Sequence, residues 1–558
     1  MSVVARIAAG AALVAALGGQ AAAQEPGADR FFFVAEEQDE RDKTAYDGSL
    51  TSTSFYYGEF GSAGDPINQI DPNAPGLNNA SPIDRIFTDL RAQLDAKHIS
   101  GSKVDFRADM RGRLTTTYLE AQTTNIDAEG NPDKSEIPYQ TGQFHGNEGE
   151  VRELYLVRRG SEFDVGIGRQ YSLELAATKF DGLKVERKNS KVWKTIAFAG
   201  AYPWRGSRDI REDYPTDPDN DPDTDGNQPK RIIPLAGGLG TAYRYERAYG
   251  AFGVVGIFPL ANDDETGTLE KPRVFATANG YWRQSATVDI YHYTVVDATG
   301  AAGAGLTNLT LGANWQPAAA LRIYGQASHI DTETLNVQAQ LKLDNPDGVG
   351  AAVIQNNIEV SRIAQDSARV GVSGSIKQRF EISTSGTIRR RPELVVSTSN
   401  GMDEVIFPKA QAVDITLGVV DRKSYKDMRI GLSGTRTFGV GNATLYRSKS
   451  TVVRADATKS LKDGRAEVVG DVTVVASSDD NIGTVCDMTQ LDTCFGASKM
   501  LSLGGGLLGF YRFKPDWFVI GSGSIARQVL TTTVSTGMTI AQQPIYTAAL
   551  LLRLAYRF

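Results

Sequence analysis

Beyond its first two dozen residues the chain has no apolar run long enough to cross a membrane as a helix, which takes about 18 to 20 residues. Helical patterning is missing too: no apolar stripe at i, i+3, i+4, i+7 persists between caps. Helical bundles and helical membrane proteins are thereby excluded. Histidine is scarce. His98, His145, His292 and His329 fall in a turn, a loop and two strand-like stretches, with no spacing that specifies a Ser/His/Asp triad. No phosphate-cradling glycine loop, zinc helix or nucleotide fingerprint occurs. An enzyme is not expected, no catalytic residue is named, and no cofactor is called for. A formal net charge of −7 leaves no basic excess for nucleic acid. No composition break or Pro/Ser-rich linker divides the chain, so one domain is expected.

What is present begins with a leader. Residues 1–23 carry one early cation, Arg6, then an Ala/Leu/Val run from Ile7 to Leu17, and close on Ala21-Ala22-Ala23. That is the layout of a cleaved secretory signal peptide. Its loss would take the charge from −7 to −8. Residues 24–50 hold Phe31-Phe32-Phe33 and the charged run Glu36–Lys43 with no strand period. They are expected to form a periplasmic lead-in or a plug element. An exported chain with only Cys486 and Cys494, close together and with no histidine nearby, is expected to pair them as a loop disulfide.

From residue 51 to 558 the recurring signal is period-2 alternation, the signature of strands with two different faces. The clearest case is a hairpin. On 85–97, Ile86, Thr88, Leu90, Ala92, Leu94 and Ala96 alternate with Phe87, Asp89, Arg91, Gln93, Asp95 and Lys97. After the turn 98–102, Val104, Phe106, Ala108, Met110, Gly112 and Leu114 alternate with Asp105, Arg107, Asp109, Arg111 and Arg113. One face is apolar or small and the other is ionic, with both signs. Such segments exceed the 5 or 6 residues usual in soluble sheets and suit tilted membrane spans.

Further strands are read at 162–170, 192–202, 236–246, 273–283, 286–297, 305–315, 320–330, 367–377, 379–390, 410–421, 427–438, 465–476, 498–512, 516–528 and 543–558. Weaker ones lie near 51–59, 150–158, 179–187, 250–258, 335–343, 351–361 and 442–457. Short links such as 159–161, 188–190, 316–318 and 514–516 alternate with polar segments 119–149, 203–233, 259–271, 391–409, 478–497 and 529–542.

The last strand carries a family likeness. In Tyr546–Phe558, the residues Leu552, Leu554, Tyr556 and Phe558 share one apolar face that ends on an aromatic. This resembles the C-terminal assembly signal of Gram-negative outer-membrane β-barrels. The pattern as a whole is similar to porin-like channels and, more loosely, to large exporter-type barrels such as the alginate-export family.

The resemblance implies a closed antiparallel all-β transmembrane barrel of about 22–24 strands, within a range of 18–24. Periplasmic turns would be short and extracellular loops long. Its expected partners are outer-membrane lipid and lipopolysaccharide, the barrel-assembly machinery and small polar solutes; its expected place is the cell outer membrane. The ionic face (Asp89, Arg91, Asp95, Asp105, Arg107, Asp109, Arg111 and Arg113) would line a wet lumen, either orienting polar solutes or pairing across strands. The implied function is passive diffusion of small polar or charged solutes. The alternative is a structural barrel whose lumen holds another exported protein. In segment 203–233, Asp221, Asp223, Asp225 and Gly226 fit the first half of a calcium loop, but Ile232 stands where the bidentate Glu belongs. A solvated acidic loop is the simpler expectation there.

Overall fold

A computed structural model describes residues 44–61, 84–115, 147–203, 210, 213–214, 233–258, 272–299, 304–331, 364–392, 394–397, 404–407, 409–425, 428–440, 448–461, 464–479, 498–533, 539–541 and 544–558. These residues hold strands throughout and no α-helix, the single helical turn being the 3-10 turn Ile99–Gly101. The strands open with β1 (Ala45–Gly61), β2 (Asp84–Lys97), β3 (Val104–Thr115), β4 (Glu148–Arg158), β5 (Phe163–Ser172) and β6 (Thr178–Lys188). They continue with β7 (Trp193–Ala201), β8 (Leu235–Tyr245), β9 (Ala248–Phe258), β10 (Arg273–Arg283), β11 (Val288–Thr299) and β12 (Gly305–Ala318). Next come β13 (Leu321–Asp331), β14 (Ala364–Ile376), β15 (Phe380–Arg391), β16 (Leu394–Ser397), β17 (Glu404–Phe407), β18 (Ala410–Tyr425) and β19 (Met428–Gly439). The last are β20 (Ser448–Leu461), β21 (Ala466–Asp479), β22 (Ser498–Lys514), β23 (Trp517–Thr533), β24 (Thr539–Ala541) and β25 (Ile545–Arg557).

Each wall strand pairs antiparallel with its predecessor, and β1 pairs with both β2 and β25, so the sheet closes on itself. The short β24 flanks β23 alone, and β16 with β17 forms a separate hairpin. Twenty-two strands make the wall. Closure removes every free strand edge, the condition for a sheet to sit in hydrocarbon. At the seam Gly48 and Phe558 exchange backbone hydrogen bonds of 2.9 and 3.1 Å. A Cβ on Gly48 would lie 2.5 Å from the Phe558 ring, so only glycine lets the terminal aromatic lie against the first strand.

Links at one end are short, as at 246–247, 319–320 and 515–516, and the start of β1 and the end of β25 lie there. At the other end lie 62–83, 202–234 and 332–363. The expected alternation of short turns and long loops is therefore present. One expectation shifts: residues 45–50, assigned to the lead-in, are the start of β1 and pair with 92–97. Tyr46, Gly48 and Leu50 alternate with Ala45, Asp47 and Ser49, a period hidden by the polar residues between them. Segment 391–409 is more than loop, since it contains the β16–β17 hairpin. The candidates at 335–343 and 351–361 lie outside the described residues.

Which way the faces point is settled by exposure. Ile86, Leu90 (51 %), Leu417 and Ile525 (63 %) stand bare on the outside of the closed sheet, while Asp105 and Asp109 are buried. At the short-turn end the outer face is ringed by Trp193, Trp282, Trp315 and Tyr425. Trp517 stacks on Tyr556 with ring centres 4.6 Å apart, and Tyr556 leads on to Phe558 at 5.7 Å. An apolar band bounded by aromatics is the outer surface of a transmembrane barrel of the outer-membrane type.

Candidate functional site: the barrel lumen

The lumen wall divides into two arcs of different chemistry. In the first, β2 to β11, the ionic residues foreseen in the sequence lie on β2 and β3 and meet one another and β4 across strands because period 2 puts them all on the inner face. Arg91 forks onto Asp109, with Nε–Oδ1 2.8 Å and a second contact of 2.6 Å, and Gln93 donates to the same carboxylate at 3.1 Å. Arg113 reaches Asp89 at 2.7 Å, and its guanidinium lies 4.3 Å above the Phe87 ring. Arg111 binds Glu148 at 2.8 Å, and Arg107 binds Glu153 at 2.6 Å and Asp95 at 3.7 Å. Pairing across strands is therefore what these charges do. Their carboxylate partners on β4, Glu148, Glu150 and Glu153, were not among the sequence candidates. The signal was the Glu148/Glu150 alternation, broken by a register shift opposite Asp109/Met110 that leaves Arg152 without a residue opposite it on β3, its side chain on Glu150 at 3.2 Å.

Asp105 does a different job from its neighbours. It accepts from the His98 backbone N–H at 3.0 Å and from Arg159 at 2.8 Å, while Arg159 and the Gly160 N–H also bind Asp164. Lys188 adds a 2.9 Å contact to Asp164. Two carboxylates thus staple three periplasmic turns together. Burial lowers the Arg159 pKa, but its bonds to Asp105 and Asp164 outweigh this and raise it, so the staple stays charged.

The second feature of this arc was not foreseen. The link Leu173–Ala177 between β5 and β6 does not project outward; it folds into the lumen. Leu175 is wholly buried against β8 and β9, where an added Cβ on Gly240 or Gly253 would sit 2.5 or 2.4 Å from its Cδ2. Those glycines are the pits that receive it. Leu239, Phe252 and Val254 alternate with them on the outer face, which fixes the docked side as the lumen.

Around the turn lies a small internal core of Phe180, Ile196, Phe198, Val255, Phe275 and Val295, with Phe180 stacked on Phe198 at 4.4 Å. Glu174 anchors the turn through Lys194 at 2.6 Å and Lys184 at 3.3 Å, and its carbonyl accepts from Asn279 at 3.3 Å. Glu186 contacts the same two lysines at 2.7 and 3.1 Å and completes the ring of charges. Burial pushes the Glu174 carboxyl up, but the two lysines prevail and hold it down at about 2. The clue in the sequence was an apolar link, Leu173-Glu-Leu-Ala-Ala177, where a solvated loop would be polar.

The second arc, β12 to β25, is plainer. Its inner face is rich in serine, threonine and glycine. Ser328 and Ser367 share a hydrogen bond of 2.7 Å, Thr416 and Thr435 one of 3.0 Å, and Ser373 stands opposite Ser383. Charges are sparser: Arg389 binds Asp414 at 2.9 Å, and Arg553 donates to Thr53 at 3.1 Å. Near its border with the first arc, Arg369 lies 5.4 Å over the Tyr324 ring.

Cys486, Cys494, Asp221, Asp223 and Asp225 lie outside the described residues. Leu552, Leu554, Tyr556 and Phe558 do share the outer face of β25, against Val519, Trp517 and Gly48.

No protein-family model matches the chain, and no curated protein matches it. Among solved structures it is similar to OccAB3 of Acinetobacter baumannii, at 10 % identity and a TM-score of 0.33, covering 92 % of this chain and 99 % of that one. A BenF-like porin from Pseudomonas fluorescens Pf-5 gives 9 % identity and a TM-score of 0.38, covering 92 % and 98 %. The siderophore receptor PirA of Acinetobacter baumannii gives 11 % and 0.43, covering 91 % and 80 %. All three are likenesses of chain course; the assignment of the fold rests on the closed sheet itself.

Proposed function

We propose that the protein is a porin-like channel that passes small polar or charged solutes across the outer membrane by diffusion. The observation that carries this reading is the hydroxyl-lined inner face of β12–β25, which offers water and solutes a polar surface while the outer face meets lipid. Wide barrels of 22 strands are usually plugged, and an open one would leak. The docked turn Leu173–Ala177 and the packed core beside it narrow the lumen from one side and serve as its constriction. With the β2–β4 charges paired among themselves, the first arc contributes a neutral ionic wall and little selectivity for either sign.

Planar-bilayer recording of the refolded mature protein tests the proposal, followed by liposome swelling with sugars, amino acids and organic anions. Stepwise single-channel currents and solute-dependent swelling are expected. A heat-modifiable, folded protein with no conductance would overturn the reading, and a stoichiometric exported partner recovered with it would replace it by a partner-holding barrel.

A further inference from the structure

The hydroxyl lining of the second arc is interrupted near the seam. On β22 the bare Leu501, Leu503 and Leu507 face lipid, so Leu508 and Phe510 face the lumen. On β23 Phe518 and Ile520 take the same side, since they alternate with Trp517 and Val519, which pair with the outward Tyr556 and Leu554. On β25 Leu551 lies between the outward Leu550 and Leu552. Register joins these side chains into a strip. Phe510 stands opposite Ile520, Leu508 opposite Ser522, and Ser522 opposite Leu551. Phe510 and Phe518 approach with ring centres 5.8 Å apart. Phe55 of β1, opposite Leu551, carries the strip across the seam toward Phe87 at 5.1 Å. From β22 to β1 the strip is about 14 Å wide, three strand spacings. Leu508 points inward and is still 39 % exposed, so the described residues leave it open to the lumen.

Arg553 stands inside this strip. It lies opposite Ile520 on one side and Thr53 on the other, two residues from Leu551, and it is exposed. Its Nε donates to Thr53 Oγ1 at 3.1 Å, which leaves the charge unbalanced. Among the described residues no Asp or Glu stands opposite or diagonal to it on β23 or β1. Asp89, one strand beyond Thr53, is held by Arg113 at 2.7 Å. Arg512 closes the strip opposite Phe518 at the short-turn end, with Glu467 diagonal to it. A small inorganic anion would balance Arg553 and leave the apolar side chains wet. A neutral hydrocarbon would cover them and leave the cation without a partner. A monoanion with an apolar body does both.

We propose that this strip is a binding subsite on the lumen wall for organic monoanions with an apolar body. The acid group sits on Arg553 and the body lies along Phe510, Ile520 and Leu551. The subsite rests on the channel reading only for its place on a diffusion path, and calorimetry separates the two because it reads binding without current. The test titrates the full mature barrel in lipid nanodiscs, against empty discs, with naphthalenesulfonate, methanesulfonate and naphthylmethylammonium. The second shares only the charge with the first, and the third only the body. Naphthalenesulfonate is expected to bind and the other two to bind far more weakly. Arg553→Gln should weaken its binding about tenfold, and Arg553→Lys should retain most of the affinity. The double variant Ile520→Thr/Leu551→Thr keeps the cation and should also cost about tenfold. Arg389→Gln, at an arginine that Asp414 already neutralises, should change nothing. Equal binding of methanesulfonate or of the ammonium overturns the proposal, as does unchanged affinity in an Arg553→Gln barrel that still migrates as folded. Failure of naphthalenesulfonate to bind the intact chain also overturns it, the strip then being covered by another part of the chain or by a second protein. Binding without conductance would sustain the subsite and remove the channel.

Discussion

The two arcs of the lumen wall obey the same strand period and reach opposite solutions. From β2 to β11 the inner face is crowded: ion pairs saturate one another, and a five-residue link is packed inward on its own core. From β12 to β25 the inner face is hydroxyl and glycine, with few partners beyond neighbouring strands. The difference teaches that a polar lining alone does not describe a lumen. An inner face can be wet, or it can be a second protein interior, and what separates the two is whether another segment is there to bury it. In the first arc the segment is Leu173–Ala177, and charges beneath it are removed from water. Removing a partner from such a site is far costlier than on a wet wall, since it leaves the other charge buried and unmatched.

The largest effect is therefore expected at Glu174. Glu174→Gln leaves Lys184 and Lys194 with Glu186 as their remaining carboxylate among the described contacts. A loss of about 3 kcal/mol in barrel stability is expected, read from the urea midpoint of the heat-modifiable band. Single-channel current should rise or become noisy as the turn leaves its dock. A quiet, unchanged current with unchanged stability would erase the contrast between the arcs.

Packing can be separated from charge. Leu175→Ala should cost about 2 to 3 kcal/mol by emptying the Gly240/Gly253 pits. Gly253→Ala, whose Cβ would meet Leu175 Cδ2 at 2.4 Å, should cost about 1 to 3 kcal/mol by overfilling them. Both are expected to raise conductance in the same direction as Glu174→Gln, although neither alters a charge. If only the charge variant opens the pore, the internal core is passive filler.

Proton titration gives a subtler reading of the same latch. The Glu174 carboxyl is held at about 2, below its ordinary value of 4.5. A depressed carboxylate contributes stability that is fully present above its unfolded value and is lost as pH falls through its folded one. Docking should thus be indifferent between pH 7 and about 5, weaken below about 4.5 and fail toward pH 2. Conductance recorded down this series should stay flat and then rise. Glu174→Gln should remove that rise, which sets the latch apart from general acid effects on the barrel.

How much of this could be read in the sequence follows the same division. Strand period 2 is a local signal, so the wall was legible, as was the end-to-end alternation of turns and loops. Ile86 and Leu90 face out, and Arg91 and Asp109 face in, as the alternation alone requires. What was not legible was tertiary. That Asp105, at the end of the inner face, staples turns depends on Arg159, which is distant in sequence. That Leu173–Ala177 docks depends on glycines at 240 and 253 that read as ordinary small strand residues. The start of β1 was missed because Tyr46, Gly48 and Leu50 are too short a run to signal period 2 against the charges before them.

The smallest effect tests the plain arc. Thr416 and Thr435 share a 3.0 Å hydrogen bond on the inner face of β18 and β19. Thr435→Val keeps the shape and removes one hydroxyl. On a dry wall the stranded Thr416 hydroxyl would cost about 1 to 3 kcal/mol. On a wet one, lumen water takes the vacated place, and the change should stay within about 0.5 kcal/mol. The urea midpoint of Thr435→Val beside that of Glu174→Gln then measures how dry each arc is. A penalty for Thr435→Val comparable to the Glu174 loss would mean that the second arc is also covered, and the open path along β12–β25 would close with it.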